Sequence, residues 1–120
     1  MQNVRVLIVE DFKPLCEHLS ELLSCFEGIQ IIGLAANGAE ALKSCAELLP
    51  DVVLMDINMP LMNGLTATHL IRQQFPHTQV VILTLTPQSQ IRSDTGAYAY
   101  LEKTSVTIES LVDTLKAVPA

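Results

Sequence analysis

Apolar residues recur along the chain in two rhythms. Five short runs rich in Val, Ile and Leu stand at 4–9 (VRVLIV), 29–35 (IQIIGLA), 51–55 (DVVLM), 79–84 (QVVILT) and 97–101 (AYAYL). Their length is that of β-strands, and the near-continuous apolar character of the first, third and fourth fits strands buried on both faces of a parallel sheet. Between them the apolar positions fall at helical spacing. Phe12, Leu15, Leu19, Leu22, Leu23 and Phe26 predict a first helix, with Gly28 where a C-cap belongs. Ala39, Leu42, Cys45, Ala46 and Leu49 predict a second, opening after Asn37-Gly38 and stopped by Pro50. Leu65, Thr68, Ile71 and Phe75 predict a third, bounded by Gly64 and Pro76, and Ile108, Leu111, Val112 and Leu115 a last one, ended by Pro119. The segment Gln88 to Thr95 is short and polar, and its one strongly apolar residue, Ile91, gives little support to a helix.

Alternating strands and helices with short connections and right-handed crossovers predict an α/β fold, a doubly wound five-stranded parallel sheet of order 2-1-3-4-5. A sheet of that order opens a crevice at the carboxyl ends of strands one and three. Strand one ends in Val9-Glu10-Asp11 and strand three in Met55-Asp56, so the topology brings three acids to one rim.

The chain's 120 residues suit one domain, 1–120, without linker, repeat or low-complexity tract. No apolar run approaches the roughly 18 residues of a membrane span, and the N-terminus lacks the basic segment of a secretory signal, so a soluble, cytoplasmic protein is expected. Cys16, Cys25 and Cys45 form no C-x-x-C pair and are expected to be reduced thiols in a core. A net charge of -6 argues against nucleic-acid contact by this chain, which would need clustered Lys and Arg.

Glu10, Asp11 and Asp56 at one rim repel one another, by about 1 kcal/mol per pair at 4 Å in water and about 4 kcal/mol at an effective dielectric of 20. Three acids together therefore call for a cation, and an all-oxygen donor set in an open loop suits a hard divalent ion, Mg²⁺ before others. Strand four ends in Thr84 and strand five is followed by Lys103, which adds a hydroxyl and an ammonium to the rim. A carboxylate is a nucleophile toward phosphoryl groups, and metal plus lysine neutralise the transferring oxygens. The chemistry implied is an aspartyl phosphate.

The blocks LIVED, DVVLMDINMPLMNGL, VILT and GAYAYLEK match, in order and spacing, the receiver domain of two-component response regulators, which the sequence resembles over essentially its whole length. That resemblance implies a flavodoxin-like receiver fold and a phosphoprotein switched by phosphoryl transfer to Asp56 from a histidine kinase or phosphotransfer protein. It implies further that Glu10, Asp11, Asp56 and the backbone carbonyl of Asn58 hold Mg²⁺, and that Thr84 and Lys103 bind phosphoryl oxygens. Tyr100 would be the aromatic that changes rotamer with Thr84, and Asn58 would reach the attacking water in dephosphorylation. Such a domain catalyses only its own phosphorylation and dephosphorylation, so no enzyme is expected. PDVVLMDINMPLMNGLTATHLIR is also similar to the subgroup fused to helix-turn-helix DNA-binding domains, which function in transcription regulation. Relative to the family, LTPQSQIRSDT is about one helical turn short, which implies a shortened fourth helix, and Leu85 replaces a small residue beside the phosphate. The face of helix four, strand five and the last helix serves in most receivers as a dimer or effector surface. A homodimer is therefore among the assemblies implied, with contacts shifted here toward the first or last helix.

Blander readings exist for each residue. Glu10 and Asp11 suit a solvated helix N-cap, Thr84 a β-former, Tyr100 core packing and Lys103 a solvent-facing side chain. It is their common register that favours the site. His18, His69 and His77 have no metal-ligand spacing and read as surface residues, and Met55, Met59 and Met62 as loop and core packing. A flavin domain of the same topology would need a Ser-, Thr- or Gly-rich phosphate loop where Glu10-Asp11-Phe12-Lys13-Pro14 stands. An aspartate-nucleophile phosphatase would need a second acid at the position of Asn58, whose amide cannot serve as general acid. A receiver-like module that docks partners without phosphorylation is the remaining alternative.

Overall fold

The structure, a computed structural model, describes residues 3–91 and 95–119. Its five strands, β1 (Val4–Val9), β2 (Ile29–Ala35), β3 (Val52–Met55), β4 (Gln79–Thr84) and β5 (Ala99–Glu102), pair in parallel in the order β2-β1-β3-β4-β5. Successive side chains of a strand point to opposite faces. Val6 and Ile8 of β1, Val52 and Leu54 of β3, and Val81 and Leu83 of β4 therefore build one core. Leu7, Val9, Val53, Met55, Val80 and Ile82 build the other. The continuous apolar runs are explained by this double burial.

Helix α1 (Lys13–Ser24) and α4 (Ile108–Lys116) close the first core with Cys16, Leu23, Leu111, Val112 and Leu115. On the other face α2 (Gly38–Leu48) and α3 (Gly64–Gln74) contribute Ala41, Cys45, Ala67 and Ile71. Three helices begin on a capping side chain: Asn37, Asn63 and Thr107 accept from the backbone N–H of Glu40, Thr66 and Ser110.

Several boundaries differ from the sequence expectation. Helix α1 ends at Ser24, capped by the backbone of Cys25, so Gly28 is not its C-cap; with φ +90° it forms the turn into β2, where its carbonyl accepts from Val4 N at 2.8 Å. Phe12, before the first turn of α1, and Leu22, in its last turns, are exposed rather than buried, and Cys25 is exposed too, its thiol donating to the Glu21 carbonyl at 3.3 Å. In α2 the buried stripe is Gly38, Ala41 and Cys45, about one residue rotated from the expected one. Leu49 has left the helix for a left-handed cap at φ 49° and is 62% exposed. The clash between Pro50 and a helical residue before it accounts for that exit. Strand β5 starts and ends later than expected, and β2 carries an extra residue opposite Val6/Leu7, a bulge at Ile32 beside Gly33, the one glycine within the strand. A single 3₁₀ turn at Gln88–Gln90 stands where a fourth helix is expected, shortened as expected; part of that segment, residues 92–94, lies outside the described residues.

Candidate functional site

The sheet's hydrogen-bond ladder sets the site. Met55 pairs with Val9, and Asp56 N continues the ladder by donating to the Val9 carbonyl at 3.0 Å, so Asp56 stands beside Glu10. On β1's other side Glu10 N donates to Ala35 O at 3.0 Å. Beyond β4 and β5, Lys103 N donates to Thr84 O at 2.8 Å, which carries the lysine to the same rim. Glu10, Asp56 and Lys103 thus converge because backbone pairing runs one step past β1, β3 and β5.

Glu10, Asp11 and Asp56 each present a carboxylate oxygen within 4.8 Å of the others. Glu10 and Asp56 are buried and Asp11 is exposed. Lys103 Nζ donates to Glu10 Oε1 at 2.6 Å and lies 3.5 Å from Asp56 Oδ2. The second Glu10 oxygen accepts from Phe12 N at 3.2 Å. Three carboxylates face one ammonium, so the recess keeps an excess of negative charge in a partly dry setting. That donor set, all oxygen and open to solvent through Asp11, fits a hard divalent cation. The recess encloses about 400 Å³ and is bounded also by Phe12, Leu15, Asn58 and Leu85.

Thr84 is buried at the end of β4, and its Oγ1 accepts from Thr86 N at 3.3 Å. That bond occupies one acceptor position and leaves the hydroxyl proton free for a further partner. Asn58 N approaches Asp56 Oδ1 at 3.4 Å, while its side-chain amide donates to Thr86 Oγ1 at 3.0 Å. Leu85, 63% exposed, lies on the rim rather than across it. Tyr100 does not face the recess: it packs with the second core, and its hydroxyl shares a 2.7 Å hydrogen bond with Thr95 Oγ1. His18, His69 and His77 are exposed, and Met55, Met59 and Met62 pack in or against the second core.

Two residues at the site escape sequence reasoning. Thr86 lies 28 residues from Asn58, and nothing in the local pattern announces their contact. Gly64 reads only as a helix boundary, yet its N–H donates to Ile57 O at 2.8 Å and a Cβ there would strike the Asp56 carbonyl. Its small size lets α3 begin directly against the strand that carries Asp56.

A family model described as the response regulator receiver domain matches residues 6–116. The chain belongs to that family, the receiver domains of two-component response regulators. It is 36% identical over 103 residues to the response regulator GacA of Pseudomonas viridiflava, a match covering 83% of this chain and 48% of the relative. It is 39% identical over 112 residues to protein-glutamate methylesterase/protein-glutamine glutaminase 2 of Carboxydothermus hydrogenoformans, covering 90% of this chain and 32% of the relative. Among solved structures, response regulator TrrA of Thermotoga maritima, in complex with Mg²⁺ and BeF, superposes with a TM-score of 0.85 at 32% identity, covering 99% of this chain and 100% of that one. The chain thus spans between about a third and about half of these curated relatives.

The same comparisons correct one expectation. The reading of the chain as no enzyme, acting only on its own phosphoryl group, is overturned by relatives named as methylesterase/glutaminases, one of them 39% identical. The likeness covers 32% of that enzyme.

Proposed function

We propose that Asp56 is the phosphoacceptor of this receiver domain, taking a phosphoryl group from a sensor histidine kinase, a phosphotransfer protein or a small acyl phosphate. The observation that supports this reading is the convergence of Glu10, Asp11 and Asp56 on one recess with Lys103 between them. Asp56 Oδ attacks phosphorus, the bond from phosphorus to the donor atom breaks, and the departing donor keeps the electron pair. Lys103 swings its ammonium from Glu10 toward the incoming phosphoryl oxygens, and Thr84 donates its remaining hydroxyl proton to one of them. Glu10, Asp11, Asp56 and the Asn58 carbonyl would hold Mg²⁺, which offsets the charge gathering on the transferring oxygens.

Phosphorylation in this reading acts through Thr84 and Tyr100 on the surface near β5 and α4. The partners we assign are a kinase or phosphotransfer protein upstream and an effector or second copy downstream. Nucleic acid lies outside this chain's own contacts in the same reading, given its charge of -6. No described helix is long and apolar enough to cross a membrane, and the cytoplasm is the compartment we assign. The test is intact-mass measurement after incubation with acetyl phosphate and Mg²⁺. One phosphoryl group is expected on the wild type, none without Mg²⁺ and none on Asp56→Asn. Equal labelling of wild type and Asp56→Asn would remove Asp56 from the role, and no labelling of either would favour a module that only docks.

A further inference from the structure

An apolar cavity of about 180 Å³ lies beside the recess, between α1 and the start of α4. Leu83 and Leu111 form its buried floor, whereas Leu15, Leu19, Val106 and Ile108 are only partly buried, so the cavity reaches the surface. Thr107, the one neutral polar residue among the described lining residues, is engaged elsewhere: its hydroxyl oxygen accepts from Ser110 N at 3.0 Å. Leu15 and Lys103 line both the cavity and the recess. The Lys103 ammonium is held on the recess side by Glu10 at 2.6 Å, which leaves its methylene stem as the wall toward the cavity. The two spaces thus meet at one aliphatic partition.

We propose that this cavity receives the hydrocarbon chain of a small acyl phosphate, so that Asp56 takes its phosphoryl group faster from donors with short aliphatic chains than from acetyl phosphate. The proposal rests on the phosphoacceptor reading above and names the class of small donor for it. Asp56 Oδ attacks phosphorus, the P–O bond to the acyl group breaks, and the released carboxylate keeps the electron pair. With the phosphoryl group in the recess, the chain beyond the carboxyl carbon either stays in water or lies over Leu15 and the Lys103 stem into the cavity. An apolar cavity of about 150 Å³ stays dry and takes up a molecule the size of benzene. The cavity beside Lys103 therefore suits a chain of about four to six carbons, whereas the single methyl of acetyl phosphate leaves most of it unfilled. Burial of the chain favours the bound donor and its transition state alike, and so raises the rate at low donor concentration.

The test is the initial rate of phosphoryl uptake with Mg²⁺, followed by intact mass, from acetyl, butyryl, hexanoyl and octanoyl phosphate at equal low concentration. Their leaving carboxylates are nearly equal acids, so a difference in rate reports the chain. Butyryl phosphate is expected to react about tenfold faster than acetyl phosphate, the gain from two further methylenes largely removed from water. The gain is expected to level off beyond about six carbons, where the cavity is full. Val106→Phe fills the cavity from the loop before α4 and Ile108→Phe fills it from α4 itself. Each is expected to abolish the advantage of the longer donors and to leave the acetyl phosphate rate unchanged, which reports an intact fold on the same sample. Should either variant fail to fold, the chain-length series on the wild type decides alone. Equal wild-type rates from acetyl and butyryl phosphate would overturn the proposal, keep Asp56 as acceptor and leave the cavity to an apolar side chain of a protein donor. An advantage retained in a folded, filled variant, or a rate still climbing at octanoyl phosphate, would overturn it too. No uptake from any donor would overturn the phosphoacceptor reading and this proposal together.

Discussion

Lys103 Nζ lies 2.6 Å from Glu10 Oε1, nearer than its 3.5 Å separation from Asp56 Oδ2. The lysine therefore neutralises Glu10, the more buried of the two acids, and leaves Asp56 the less compensated. Removing it strands two buried carboxylates beside a third. Lys103→Met is expected to lower stability by about 3 kcal/mol, the usual cost of leaving a buried charge unpaired. Mg²⁺, by supplying the missing positive charge, is expected to restore more stability to this variant than to the wild type. Urea unfolding with and without Mg²⁺ measures both, and an equal Mg²⁺ response would separate the metal from the lysine's charge role.

Asp56→Asn works in the opposite sense. It removes one member of a triad of like charges within 4.8 Å of one another. Without divalent ions at low salt it is expected to stabilise the fold by about 1 kcal/mol or more, as like-charge repulsion is relieved. The gain is expected to shrink when Mg²⁺ is added, because the wild type then recovers what the variant has already gained. Paired thermal melts give the comparison.

Gly64 offers a test of the site's support. A Cβ there would strike the Asp56 carbonyl and come within 2.8 Å of the Ile57 Cα, both backbone and unable to yield cheaply. Gly64→Ala is expected to cost about 1–3 kcal/mol, the usual penalty of overpacking. It is also expected to slow phosphoryl uptake, because the strain falls on the peptide that carries Asp56. Urea midpoints and uptake rates check both.

Much of this was legible in the sequence because parallel strands buried on both faces advertise themselves. Val6 to Val9, Val52 to Met55 and Val80 to Leu83 are all buried, so any framing of these runs finds the sheet, and the acids follow from where the runs end. Helix faces were less legible. The stripe of α2 rests on Ala41 and Cys45, small side chains that composition hardly distinguishes from the exposed Ala39 and Ala46. Contacts made by hydrogen bonding between distant loops, such as Asn58 with Thr86 or Tyr100 with Thr95, have no periodicity to betray them. Gly28 misled because a turn residue near a helix end reads as its cap, whereas α1 stops at Ser24.

The cysteines make a prediction in pH. Cys45 is buried, and burial pushes its thiol up to about 11; Cys16 is also raised, by burial first and then by Glu10 and Glu17. Cys25 is exposed. In the native protein at neutral pH one thiol, Cys25, is expected to react with an alkylating reagent, and all three in denaturant. Raised folded pKa values mean that the unfolded thiols lose protons first. Stability is therefore fully present below the ordinary thiol value of 9.0 and falls as pH rises toward about 11. Replacing Cys45 by alanine is expected to flatten that fall, which urea midpoints across the alkaline range would show.

Tyr100 and Thr95 share a 2.7 Å hydrogen bond in a place where Thr95 is 4% exposed, with Ala97 N reaching the same hydroxyl at 3.4 Å. An aromatic that swings on phosphorylation must first give up that bond. Removing one partner leaves the other's polar group dry, which costs more than removing both. Tyr100→Phe is thus expected to destabilise the protein by about 1–2 kcal/mol, and Thr95→Val by a similar amount. The double variant is expected to be less destabilised than the sum of the two singles, because no unpaired hydroxyl remains. A double-mutant cycle by urea unfolding measures the coupling. If the cycle closes additively, the hydroxyls do not hold each other, and Tyr100 is held in its rotamer by packing with the second core alone.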